Sequence, residues 1–253
     1  MIKKIISEWS QFCEYMGSRI YESNGIIIAD NSSTSISCDF SNCLIAKNLS
    51  YDFLLHKQNN LLKKGFTFYS IYENDQYPVF DTRPDKIASL MVISRNEWIQ
   101  KRNEANLSLP NDKKYNIIRF DKDNIMHFGS VVFSAFDYDL KFFEASINLY
   151  RKGLRSKKVD YYGLCNNETV MSCVMVHPGR SGEISGLELV STRPEYQRMG
   201  LSRKLITHVI NDKFSSAVNT LWLFSIKGSN AEKFYNSLGF RTIANMFIWR
   251  FNI

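Results

Sequence analysis

Leu187-Glu-Leu-Val-Ser-Thr-Arg-Pro-Glu-Tyr-Gln-Arg-Met-Gly-Leu-Ser-Arg-Lys-Leu205 carries a strand, a loop and a helix start in nineteen residues. An apolar-rich strand ends near Val190, the loop Ser191–Met199 follows, and a helix opens at Gly200 and runs to about Asn211. Its apolar face is drawn by Leu201, Leu205, His208 and Val209. A strand–loop–helix junction of this kind gathers several backbone N–H groups at a helix start, where they and the helix dipole favour an anion, above all a phosphate. Gly200 lets the backbone approach such a group without a side-chain clash. Arg198, Arg203 and Lys204 add positive charge in the same turns. The physics gives a phosphate-binding loop and leaves its ligand open.

The flanking sequence alternates between strand and helix signals. Upstream lie a strand at Tyr115–Phe120, helices at Asn124–Phe136 and Leu140–Gly153, and strands at Val159–Cys165, Thr169–His177 and Glu183–Val190. Downstream come a strand at Leu221–Ile226 and a helix at Ser229–Leu238, with Ala231, Phe234, Tyr235 and Leu238 at helical spacing. Gly239 stops that helix, and Phe240–Phe251 holds one or two final strands. The order β-α-α-β-β-β-α-β-α-β predicts a mixed α/β layout around one central sheet flanked by helices.

Two motifs in this layout resemble a known family. Pro194-Glu-Tyr-Gln-Arg-Met-Gly-Leu-Ser is similar to the acyl-CoA signature of the GNAT superfamily of N-acyltransferases, [Arg/Gln]-x-x-Gly-x-[Gly/Ala], with matches at Gln197 and Gly200 and a departure at Ser202. About thirty residues later, Asn230-Ala-Glu-Lys-Phe-Tyr-Asn-Ser-Leu-Gly-Phe240 resembles the family's Ala-x-x-hydrophobic-Tyr-x-x-x-Gly-Phe helix. Gly228 stands where many members carry Asn. The resemblance covers residues 115–253.

The resemblance implies acetyl-CoA or another acyl-CoA as co-substrate, with no metal. Leu189, Val190 and Thr192 would line the pantetheine arm. Gln197, Arg198, Met199, Gly200, Leu201, Ser202 and Arg203 would hold the pyrophosphate, and Asn230 and Tyr235 would sit near the thiol end. The implied reaction is N-acetyl transfer to a primary amine of a small molecule or protein by direct attack. Because an alkylamine has a pKa near 10, a proton must leave it, directly or through water. Glu188, two residues before the strand end, is the candidate base. Glu183, of opposite parity, falls on the other strand face, and a water remains a third option. Tyr235 stands where the family often carries the acid that meets the leaving thiolate, and a backbone N–H at or beside Val190 would meet the oxyanion. Loss of catalysis, leaving a CoA-binding or interaction module of the same fold, is the alternative. His177, before Pro178, reads as a structural strand-end histidine, and the basic run Arg151–Lys158 as a solvated helix end beside the region where acceptor sites are often built.

The polar, proline-containing segment 103–114 reads as a linker and sets a domain boundary near residue 112. Residues 1–112 then form a smaller α/β domain. Its expected elements are a helix at Ile5–Ile20, strands at Gly25–Ala29, Phe66–Tyr72 and Ala88–Ser94, and a helix at Tyr51–Lys64 ending at Gly65. This half has no [Arg/Gln]-x-x-Gly-x-[Gly/Ala] loop. It is read as non-catalytic, and its Gly65–Phe66 corner as part of a degenerate copy of the same fold.

Composition narrows the classes further. Hydrophobic residues make up 44% of the 253, a globular value. No apolar run reaches the roughly 18 residues a membrane span needs, and the polar, acidic turn after Met1–Ile6 is unlike a signal peptide. The expected location is cytoplasmic. Five scattered cysteines without a CxxC, and four scattered histidines without an HExxH, give neither a disulfide framework nor a metal site. Residues 1–112 hold 12 basic and 13 acidic side chains, whereas residues 113–253 hold 20 and 12. That basic excess suits a phosphate-rich small ligand. Nucleic acid is disfavoured because no helix-turn-helix or aromatic–basic strand pattern accompanies it. Monomer and homodimer both remain open.

Overall fold

The computed structural model describes residues 1–15, 18–23, 26–30, 43–47, 67–73, 83–104, 114–167, 169–179 and 181–250. In chain order the elements are α1 (Ile2–Tyr15), β1 (Arg19–Ser23), β2 (Ile26–Asp30), β3 (Cys43–Lys47), β4 (Thr67–Tyr72), β5 (Lys86–Ser94), α2 (Arg95–Glu104) and β6 (Asn116–Arg119). They continue with α3 (Ile125–Phe136), α4 (Phe143–Ser156), β7 (Asp160–Asn166), β8 (Thr169–Pro178), β9 (Ile184–Thr192), α5 (Leu201–Phe214), β10 (Thr220–Ile226), α6 (Asn230–Leu238) and β11 (Arg241–Arg250). The chain divides into two compact units, Met1–Val92 with Leu223–Ile253, and Ile93–Trp222. The expected helix at Tyr51–Lys64, the Gly65–Phe66 corner and the boundary near residue 112 lie outside the described residues.

In the second unit the strand order is β10-β9-β8-β7-β6. β9 and β10 run parallel, with Thr220 opposite Ile184 and Trp222 opposite Gly186. The other neighbours are antiparallel. Apolar residues alternate onto both faces because both are covered. On β8, Cys173 lies against the Phe128 carbonyl of α3, with Sγ 3.9 Å away. Its neighbour Ser172 points the opposite way, toward the Thr192–Ser202 hydroxyl pair at the start of α5. α3 and α5 therefore sandwich the sheet. Under α3 the core is aromatic: Phe128 packs edge-to-face on Phe120, Tyr150 and Tyr161 at 5.7, 5.1 and 4.9 Å.

In the first unit the strand order is β1-β2-β3-β4-β11-β5. Only the β3–β4 pair is parallel. α1 buries Ile5, Trp9, Phe12 and Cys13, residues spaced as one helical face. Trp9 meets Tyr69 and Phe224 at 4.9 Å each. α6 opens with a capped first turn: Ser229 accepts from the N–H of Glu232, and Glu232 reaches back to accept from the N–H of Gly228, just before the cap, at 2.6 Å. Gly239, with φ +99°, closes the helix.

Three local expectations change. The first helix ends at Tyr15 rather than Ile20, because Ile20 pairs with Ala29 in the β1–β2 hairpin. Strand β3 has no counterpart in the sequence reading. Helix α2 was also not anticipated, since Arg95-Asn-Glu-Trp-Ile-Gln-Lys-Arg-Asn-Glu104 lacks an apolar face. It is held instead by the Ser94–Glu97 capping pair and by Trp98, which is buried and donates to Asn211 Oδ1 at 2.8 Å. The Ser-x-x-Glu pattern was its legible signal.

Candidate active site

β9 does not run straight to the loop. On β8, Cys173 and Met175 flank one residue, whereas their partners Ser191 and Glu188 flank two. The extra residue makes a bulge at Leu189–Val190, and Leu189 takes φ +51°, a left-handed conformation that costs a leucine about 1–2 kcal/mol. The Ser191 hydroxyl, donating to the Leu189 carbonyl at 2.8 Å, holds the bulge. A bulge turns peptide groups out of the regular ladder, which is what backbone pairing to an extended ligand or an oxyanion requires.

Glu188, opposite Met175 and immediately before the bulge, lies on the α3 face of the sheet. Its side chain is buried, and Oε1 has no hydrogen-bond partner among the described residues. Burial pushes its pKa up from 4.5 to about 8, close to the value that suits a base working near neutral pH. Glu183 stands just before β9, exposed, with its carbonyl accepting from the N–H groups of Asn219 and Thr220. His177 lies opposite Gly186 and packs edge-to-face on Trp222 at 5.2 Å. Full burial lowers its pKa to about 3, so it is neutral at ordinary pH. A Cβ at Gly186 would overlap both rings, so the imidazole occupies space that this glycine leaves.

Beyond Thr192 the chain makes a single 3-10 turn at Pro194–Tyr196, passes through extended Gln197, and turns at Arg198 and Gly200, with φ +64° and +75°. No side chain caps the N-terminus of α5. Gln197, Arg198, Met199 and Gly200 are exposed, whereas Ser202 and Arg203 are partly buried. Leu201 is buried in the core and offers the loop only its backbone. Nothing lies within 4 Å of a Cβ built at Gly200, so this position needs glycine for its conformation and not for want of space. The loop is tied across its base by Gln197 Nε2 donating to the Thr192 carbonyl at 3.3 Å, and by the Thr192 and Ser202 hydroxyls at 2.7 Å. Lys204, which reads from sequence as a loop cation, instead lays its ammonium 4.6 Å from the centroid of the Tyr115 ring.

The second unit thus gathers Glu188, Leu189, Val190, Thr192 and the loop to Arg203 along one strand–loop–helix path. Asn230 and Tyr235 belong to α6 in the first unit. Asn230 is exposed in the first turn, and Tyr235 is buried beside Phe234 and Phe240, with ring centroids 5.1 and 5.9 Å away. Sequence reasoning missed two groups. Ser172 and Ser191 brace the strand end, and Arg193 fastens the loop by donating to the Val170 carbonyl at 2.9 Å and to Ser130 Oγ at 2.8 Å. An arginine directly after the strand was the available signal. Away from this path, Arg151 and Arg155 of the basic run line an open cavity of about 590 Å³ together with Phe120, Asp121, Lys122, Asp123 and Leu154. Among the described residues no cluster of three or more His, Cys, Asp or Glu side chains is placed to hold a metal. No helix among them is long and apolar enough to cross a membrane.

The Acetyltransferase (GNAT) family model matches residues 129–240. The [Ribosomal protein bS18]-alanine N-acetyltransferase of Escherichia coli (strain K12) is 43% identical over 53 residues, which is 20% of this chain and 35% of that protein. The matched stretch thus spans about a third of that curated relative. Among solved structures, a GCN5-related N-acetyltransferase from Kribbella flavida aligns with a TM-score of 0.64 at 11% identity, covering 98% of this chain and 94% of its own. A tandem GNAT protein from the clavulanic acid biosynthesis pathway aligns with a TM-score of 0.57 at 9% identity, covering 80% and 70%. At such identities these two likenesses concern the fold. Over residues 129–240, this chain carries an acetyltransferase domain of the GNAT family.

Proposed function

We propose that the protein is an N-acetyltransferase that moves an acetyl or other short acyl group from acyl-CoA to a primary amine of a small molecule or protein. The observation that carries this reading is the path from buried Glu188 through the Leu189–Val190 bulge to the uncapped helix start at Gly200. A raised-pKa carboxyl, turned-out peptide groups and a helix start suited to an anion follow one another on a single strand–loop–helix path, which supports this reading. The bS18 acetyltransferase likeness supports an amine acceptor and leaves open whether that amine belongs to a protein.

In this reading the loop Gln197–Arg203 binds the pyrophosphate through backbone N–H groups, and Leu189, Val190 and Thr192 line the pantetheine arm. Glu188 takes a proton from the acceptor ammonium, directly or through a water. The free amine nitrogen then attacks the thioester carbonyl, and a peptide N–H at Val190 meets the oxyanion. When the intermediate collapses, the C–S bond breaks, Tyr235, in the role the resemblance implies, gives its proton to the departing thiolate, and the proton the nitrogen sheds on becoming an amide passes through water to restore the tyrosine. The products are an amide and free coenzyme A. Residues 1–112 take no part in the chemistry, as they lack any loop of this kind.

The test is release of free thiol from acetyl-CoA with a panel of primary amines and amino-terminal peptides at pH 8.5. Amine-dependent release supports the proposal. Saturable acetyl-CoA binding with no release for any amine would instead favour a CoA-binding module that has lost catalysis.

A further inference from the structure

Three hydroxyls form a continuous line from the anion loop to the Ser191 carbonyl beside the bulge. Ser172 Oγ lies 2.8 Å from the Ser191 carbonyl and 2.9 Å from Thr192 Oγ1, and Thr192 Oγ1 lies 2.7 Å from Ser202 Oγ. Ser191, in turn, donates to the Leu189 carbonyl. Each hydroxyl has one proton to give. A carbonyl only accepts, so Ser172 spends its proton on Ser191. Thr192 must then donate to Ser172, and Ser202 must donate to Thr192. In this arrangement the Ser202 proton points inward, and only lone pairs face the loop.

Lone pairs repel a pyrophosphate. The chain has a second polarity that removes the conflict. Ser202 donates outward to the anion, Thr192 donates to Ser202, and Ser172 turns from the Ser191 carbonyl to Thr192. All three hydroxyl donors remain used, and the cost is the Ser172–Ser191 bond beside the bulge.

We infer that Ser172, Thr192 and Ser202 form a reversible hydroxyl chain in which Ser202 becomes an anion ligand and occupancy of the loop frees the Ser191 carbonyl beside the Leu189–Val190 bulge. Ser172 and Thr192 are positioning residues in this scheme. The inference rests on the coenzyme A reading. It also accounts for the serine at a place where the resembling family carries Gly or Ala: the hydroxyl acts as a ligand and is not a tolerated excess of bulk.

The chain predicts opposite signs for two neighbouring substitutions. Ser202→Ala removes the outward donor and weakens binding of coenzyme A about tenfold, the scale of one hydrogen bond to a charged acceptor. Thr192→Val removes the inward acceptor, leaves Ser202 free to donate outward from the start, and tightens binding about threefold, the conflict being smaller than a full charged bond. The double variant binds like Ser202→Ala, because Thr192 acts only through Ser202. Calorimetric titration of the full chain with coenzyme A reads all three, and competition by inorganic pyrophosphate assigns the effect to the loop. Substitution of Ser202 by Ala, a good helix former of smaller volume, and of Thr192 by its near-isostere Val leaves folding intact on thermal melting. If Ser202→Ala binds as tightly as wild type, or Thr192→Val binds more weakly, the chain is overturned while the coenzyme A reading stands. If wild type binds no coenzyme A, both fall together.

Discussion

The buried carboxyl of Glu188 is adjacent to the left-handed backbone of Leu189, so the acid stands at the residue where β9 leaves its regular alternation. That adjacency links a strained backbone to a carboxyl that burial favours in its protonated form. The two nearest regular pairs on β8, at Cys173 and Met175, fix both in place.

A group with its pKa near 8 must lose its proton before it can act as a base. The value of kcat/KM is therefore expected to rise with pH through an apparent pKa near 8 and level off above it. Glu188→Gln is expected to lower kcat by 10²–10⁴-fold and to abolish that limb. A full pH–rate profile of both proteins checks this. A wild-type rate flat from pH 6 to 9, or one unchanged in Glu188→Gln, removes Glu188 from the chemistry.

The same shift bears on stability. The folded pKa lies above 4.5, so below about 4.5 both states hold the proton and nothing is lost. Between 4.5 and 8 the unfolded chain ionises while the folded one does not, and wild type loses stability on the order of a few kcal/mol. Urea melts from pH 4 to 9 should show wild type falling relative to Glu188→Gln across that window. A constant difference would contradict the burial argument.

Two glycines give contrasting expectations for the same change. Gly186→Ala pushes a methyl into the rings of His177 and Trp222 and should cost about 1–3 kcal/mol by overpacking. Gly200→Ala meets no atom, so its cost of about 1–2 kcal/mol comes from φ +75° alone. Equilibrium melts give both totals. Only Gly200→Ala should also weaken acetyl-CoA binding, because only it alters the loop.

Tyr235 is read as the acid for the leaving thiolate. Tyr235→Phe keeps the ring packing on Phe240 and removes the proton. The expected outcome is a fall in kcat of about 10²-fold or more with the Kd for acetyl-CoA unchanged. A change confined to Kd would make Tyr235 a binding residue instead.

The strands and helices from Asn116 to Leu238 were legible within a few residues because their apolar periods are long and their ends are marked. Gly200, Ser229 and Gly239 punctuate the sequence where the backbone turns. The candidate site residues from Glu188 through Gln197 to Ser202 stand on one strand–loop–helix path, an arrangement that follows from their order along the chain. The bulge at Leu189 left no mark, since nothing in Leu-Glu-Leu-Val announces a left-handed leucine; cross-strand register imposes it from β8. Ser172 and Ser191 were invisible for a similar reason. Their roles depend on partners in space, where Ser172 lies 19 and 20 residues from the groups it bonds. Helix α2 escaped because a single buried tryptophan, not a periodic face, holds it.

The central claim is that the Gly200 loop binds an acyl-CoA. Thermal melting of the full chain across an acetyl-CoA titration tests it most directly. Wild type should show a concentration-dependent stabilisation reaching about 2.7 kcal/mol at a hundred times Kd, and Gly200→Ala a right-shifted curve. An unchanged melting temperature in wild type at millimolar acetyl-CoA would contradict it.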